Sequence, residues 1–173
     1  MSRYVITPAR SQVWIDARSN VHPIHSATDG LEGYVDLELS AEGEVNLLAD
    51  MSGQLTLSVD RLKSGNRMED RELAKRIDAR RFPTITGVLG TIATSDSAGA
   101  YTVAGEITFR GVTHHHADIM NISSVDSDTI QLDGQSRFDI REFGMEPPRM
   151  LMLKVEPEVD IRVEIFAVRE SGA

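Results

Sequence analysis

The positions richest in chemistry are consecutive: Thr113, His114, His115, His116, Ala117 and Asp118. In an extended chain His114 and His116 project from one face about 6–7 Å apart, close enough to chelate one ion. Asp118 lies about twice as far from His114 and cannot join it. Two imidazoles are too few for a stable site, so a His-based metal-binding protein needs His22 or His25 brought in from elsewhere in the chain. The alternative is structural. His114, His116 and Asp118 then form a solvent face while His115, Ala117 and Ile119 pack inward, and Met120 and Ile122 require a bulge or a covered outer face.

Hydrolytic chemistry needs Ser or Thr near His and a carboxylate, or two carboxylates in one pocket. With 27 acidic residues such neighbours arise by chance, and no G-x-S-x-G is present. Gly87 and Gly90 are isolated glycines suited to a bending strand, not to a phosphate-binding loop. Asp70 and Arg71 read as a solvated helix face. The absence of cysteine excludes disulfides, thiolate metal ligands and thiol nucleophiles. The expectation is a protein without catalytic residues or cofactor.

Charge narrows the partners further. A net charge of -9 and a pI near 5.0 disfavour nucleic acid and anionic membranes, because Lys75, Arg76, Arg80 and Arg81 sit among acids. The first ten residues, M-S-R-Y-V-I-T-P-A-R, hold no apolar leader core, and no window reaches membrane-spanning length. A soluble, cytoplasmic chain is expected. At 173 residues and 40% hydrophobic, it suits one core and one domain over residues 1–173.

The elements that must position these residues are strands. Tyr101 to Phe109 alternates, Gly111 breaks it, and a second extended run from Thr113 completes a tight antiparallel hairpin. Gln12 to Arg18 alternates, with Val13, Ile15 and Ala17 opposite Trp14, Asp16 and Arg18. The following S-N-V-H-P-I-H-S-A-T-D-G reads as a loop. Strands recur around Val35 to Leu39, Leu55 to Val59, Thr84 to Thr94 and Thr129 to Ile140. In the last strand, Val159, Ile161, Val163, Ile165 and Ala167 share a face. Between Ser64 and Phe82 the period of two is lost. Leu73 and Ile77 have the spacing of a short amphipathic helix that Asn66 caps and Pro83 ends. Eight or nine strands in a meander close most simply into an antiparallel up-and-down barrel, whose interior is either filled or holds one small ligand.

Four stretches carry a family resemblance: S-Q-V-W-I-D-A at 11–17, S-G-N-R-M-E-D-R-E-L with F-P-T-I at 64–85, G-E-I-T-F-R-G-V-T at 105–113 and F-D-I-R-E-F-G-M at 138–145. Over nearly its whole length the chain resembles the YceI-like, lipocalin-like, polyisoprenoid-binding family. The resemblance implies an all-β fold, an eight-stranded antiparallel lipocalin-like barrel with one short helix near its mouth. It also implies an apolar channel for a long-chain lipid, frequent homodimers and no catalysis. Polar positions of the family pattern differ here at Ser19, Glu69, Glu72 and Ile140, so head-group contacts do not carry over.

Inward parity nominates Val13, Ile15, Leu37, Leu57, Tyr101, Val103, Ile107, Phe109, Leu132, Phe138, Ile161 and Val163 as the lumen wall. Gly105, Gly134 and Ser136 leave room inside it. The competing expectation is a packed interaction module without ligand.

Overall fold

The computed structural model describes residues 1–172. Its strands are β1 (Ser2–Ile6), β2 (Gln12–Ser19), β3 (Pro23–Thr28), β4 (Glu32–Leu37), β5 (Ser52–Ser58), β6 (Thr84–Thr94), β7 (Ala100–Phe109), β8 (Val112–Ser124), β9 (Thr129–Asp139), β10 (Arg149–Met150) and β11 (Leu153–Arg169). One α-helix, α1 (Arg67–Ile77), interrupts them, and short 3₁₀ turns lie at Val59–Arg61 and Ile140–Phe143.

Strands β1, β4, β5, β6, β7, β8, β9 and β11 pair in that order, and β11 returns to β1, closing an eight-stranded antiparallel barrel. The long β11 pairs with β1 through Tyr4 to Ile6 and with β2 through Gln12 to Ser19. β1 and β2 are therefore two halves of one stave. β3 and β4 form the next stave, broken where Gly30 takes a positive φ of 88°. The pairing of β11 with β1 removes the free edges these two strands would otherwise offer as templates for aggregation.

Three strands lie where none was expected, among them the two-residue β10. β1 occupies the N-terminal residues, and β3 falls within the stretch from Ser19 to Gly30 read as a loop. Turn-forming residues there are overridden by pairing: Ile24, Ser26 and Thr28 sit opposite Ala17, Ile15 and Val13. The helix is shorter than the stretch that lost strand periodicity. Asn66 caps it, its side chain accepting from the backbone N–H of Met68 and Glu69. Its end is set by Asp78 in left-handed conformation, whose N–H donates to the carbonyls of Ala74 and Lys75, well before Pro83.

One end of the barrel is densely packed. Tyr4, Leu37, Ile122, Ile130 and Ala167 are buried there, and the Tyr101 hydroxyl accepts from the backbone N–H of Val45 at 3.0 Å. Asp36 is buried on the wall beside them. Arg3 donates to both its oxygens at 2.8 Å, and Ser52 Oγ donates at 2.9 Å. The Arg3 guanidinium, with help from Ser52, holds the Asp36 carboxyl below its ordinary range despite burial. A depressed folded-state value stabilises the fold above the unfolded pKa, and that contribution fades as pH falls through the folded value. Asp36→Asn is thus expected to lower the melting temperature most at neutral pH. The gap to the wild type should narrow steadily in melts taken at increasingly acidic pH. A gap constant with pH would contradict the ion pair.

The other end is looser. β8 and β9 pair only between Met120–Ser124 and Ile130–Gly134. Residues 112–119 of β8 and 135–139 of β9 share no ladder, and side chains bridge the split. The free side of β3 faces the segment before α1, which it meets through the Ser26 hydroxyl donating to the Lys63 carbonyl at 2.6 Å. Among the described residues no helix is long and apolar enough to cross a membrane.

Candidate functional site: the barrel lumen

Two cavities occupy the barrel. The outer one, about 200 Å³, lies under α1 and is lined by Ile24, Leu62, Leu73, Ile77, Phe109, Phe143, Met145 and Leu153, among others. The inner one, about 310 Å³, lies deeper, between Val13, Leu55, Leu57, Leu89, Ile92, Val103, Met120, Leu132, Val163 and Ile165. Ile15, Ile85, Ile107, Phe138 and Ile161 line both, so the two meet at a shared apolar waist. Gly87 stands beside this waist, where a Cβ would lie 3.3 Å from Ile107 Cδ1. The Leu55 and Ile107 side chains close over the position a larger residue would need.

Of the residues nominated by parity, Val13, Leu57, Val103, Leu132 and Val163 line the inner cavity and Phe109 the outer, while Ile15, Ile107, Phe138 and Ile161 line the waist. Leu37 and Tyr101 lie in the packed end and border neither cavity. Trp14 lies on the outer face under the Arg162 guanidinium, 3.9 Å from the ring centroid, beside its cross-strand partner.

The histidine strand corrects an expectation. His114, His116 and Asp118 do not face solvent; they share the inward side of β8 with Met120 and Ile122, while His115, Ala117 and Ile119 point out. No bulge is required. The two-residue turn Arg110–Gly111, both at positive φ, pairs Phe109 with Val112, Ile107 with His114, Gly105 with His116 and Val103 with Asp118. Cross-strand partners share a face, so an inward Ile107 dictates an inward His114.

The two inward histidines have separate partners. His114 Nε2 lies 2.6 Å from the Glu142 carbonyl, and its ring packs edge-on against Phe143 at 5.1 Å. His116 stacks on Phe138 at 4.3 Å, and its Nε2 lies 2.5 Å from both Asp118 Oδ2 and Ser136 Oγ. Ser136 also donates to Asp118 Oδ2. Of the other candidate ligands, His22 Nε2 is 3.5 Å from Glu69, and His25 Nδ1 is 2.6 Å from Asp16 on the outer face of β2. Among the described residues no three His, Asp or Glu side chains form a group that could hold a metal ion.

Carboxylates edge the outer cavity. Glu69 is the one near His22. Glu72 pairs with Arg76 at 2.7 Å, and Asp70 accepts from Ser64 N and Oγ, both at 2.8 Å. Asp70 is therefore no freely solvated charge; it pins the loop before α1. Ser19 closes a local turn with His22, and Ile140 is buried in the turn after β9.

The pattern of the YceI-like domain matches residues 4–167. The chain belongs to the YceI-like family. Solved structures with the same barrel include BcnA of Burkholderia cenocepacia, 20% identical with a TM-score of 0.77 over 94% of this chain and 99% of that one. A polyisoprenoid binding domain from Saccharophagus degradans implicated in plant cell wall breakdown is 10% identical, with a TM-score of 0.75 over 98% and 100%. A YceI protein of Campylobacter jejuni, in a mutant form with a monobromobimane guest, is 13% identical, with a TM-score of 0.66 over 89% and 85%. No curated protein matches the chain. As in these YceI-like relatives the fold is a helix-capped barrel. Alternation by polarity alone misses the cluster of His116, Asp118 and Ser136.

Proposed function

We propose that this chain binds one long-chain apolar molecule, a polyisoprenoid or similar lipid, in the barrel lumen and carries, stores or senses it without transforming it. The observation that supports this is the pair of adjoining cavities with a continuous apolar wall. Removing apolar surface from water favours such a guest by about 25 cal/mol per Å², and few polar groups restrict its chemistry. The whole chain acts as one lipid-binding unit, and the family resemblance adds a homodimer, which sedimentation analysis tests.

The His116 cluster supports binding over catalysis. A serine relay uses opposite ring nitrogens, the carboxylate on one and the hydroxyl on the other. Here Asp118 and Ser136 both meet Nε2. The carboxylate cannot hold the ring so that it takes the serine proton.

Organic extraction of the protein purified from its natural host, followed by mass spectrometry, is expected to yield an apolar long-chain compound in near-stoichiometric amount. Repeatedly clean extracts would favour the packed interaction module.

A further inference from the structure

Of the polar residues that border the inner cavity, Tyr34, Gln54, Glu106 and Gln135 are in cross-strand register with the outward-facing His115 or Arg162, whereas His116, Asp118 and Ser136 are on the inward parity. We propose that His116, Asp118 and Ser136 seat the polar head of the bound molecule, and that this head is a hydroxyl, as in a long-chain alcohol or phenol, and not an anion. The proposal rests on the lumen being a ligand chamber.

The hydrogen-bond inventory of the cluster decides the head. His116 Nε2 lies against a carboxylate and so carries the proton, which it shares between Asp118 Oδ2 and Ser136 Oγ. The Ser136 hydrogen goes to the same Asp118 oxygen. Every donor of the cluster is thereby used. Asp118 Oδ1 and His116 Nδ1 have no partner among the described residues, and both are acceptors. No buried side-chain nitrogen or oxygen lacks a partner among the described residues, so these two atoms are accessible, and both residues border the inner cavity.

A head that donates completes the cluster, whereas a phosphate or carboxylate offers only acceptors. No Lys or Arg borders the inner cavity, and its one inward-facing charged neighbour, Asp118, is an acid. An anion there would be desolvated without a partner. The outer cavity repeats this bias, with Glu69, Asp70 and Glu72 against a single Arg149. The seat is also held in place. His116 is stacked on Phe138, and Ser136 comes from β9 across the unpaired split, so the cluster spans the two strands.

Three probes of equal chain length separate the ideas: 1-dodecanol, dodecanoate and dodecane, each displacing an apolar fluorescent dye from delipidated protein at about pH 8, where free imidazole is neutral. Dodecanol is expected to bind at least about tenfold tighter than either of the others, the scale of one hydrogen bond to a charged group. Asp118→Asn keeps the shape and removes the charge, and should bring dodecanoate to within about threefold of dodecanol, less than half that interaction on a logarithmic scale. The wild-type ranking needs no variant, so a misfolded Asp118→Asn leaves the proposal exposed to test. Equal displacement by dodecanol and dodecanoate, with dodecane active, would overturn the seat and leave the lumen reading intact. Failure of all three probes would overturn both.

Discussion

Val163→Glu is expected to unfold the barrel or empty its lumen, while Glu164→Ala, one peptide bond away, is nearly silent. Val163 faces the inner cavity between Val13 and Gly134 on the neighbouring strands. A carboxylate there finds no Lys or Arg on the cavity wall and has Asp118 for company. It must stay protonated or be desolvated unpaired, at a cost of several kcal/mol out of the roughly 5–15 that hold such a domain. A lysine at the same position is the weaker test, because Asp118 offers it a partner within the same cavity. Glu164 stands opposite Gln12 and Asp133. Removing its charge relieves a like-charged cross-strand pair, so its melting temperature should hold or rise slightly. Thermal melts with extraction of bound lipid read both effects, and equal damage in the two variants would overturn the face assignment of β11.

The barrel was legible because most of its strands alternate apolar and polar residues, β8 being the main departure. β11 is the clearest case, from Val159 to Ala167. The helix was legible in its start, since Asn66 is a local capping signal, but not in its end. Asp78 adopts a left-handed conformation that its residue type permits without announcing. β3 was hidden for a different reason. Pro23, His25 and Ser26 have weak strand preference, and what makes them extended is pairing with β2, a tertiary effect.

The central misreading, that of β8, came from equating polar with outward. The Arg110–Gly111 turn already contained the correction. A two-residue hairpin fixes register, and register carries the inward parity of Ile107 and Phe109 across to His114 and Val112. Polarity then marks something else: a polar group inside an apolar lumen is a departure from burial preference, and such departures concentrate where a protein does its work.

The waist between the cavities gives the second large effect. Ile107 lines both chambers, and its neighbour across the ladder is Gly87. In Ile107→Trp the larger ring can extend into the waist, where the two cavities meet, instead of pressing on the wall. Overpacking of a filled core costs about 1–3 kcal/mol, and here existing free volume offsets part of that, so the variant should fold. What it loses is continuity. A chain long enough to run from the mouth beneath α1 to the His116 cluster must pass the waist, whereas a short one fits the outer chamber alone. Ile107→Trp is therefore expected to weaken binding of long-chain ligands by at least about tenfold, equivalent to about 1.4 kcal/mol. Short-chain binding should change little, so the dependence of affinity on chain length flattens. Ile119→Trp, on the outward face of β8 where Ile119 is 52% exposed, serves as the control and should leave that dependence unchanged. A chain-length series measured by dye displacement on the three proteins checks this. If Ile107→Trp binds the longest ligands as well as the wild type does, the cavities do not act as one channel.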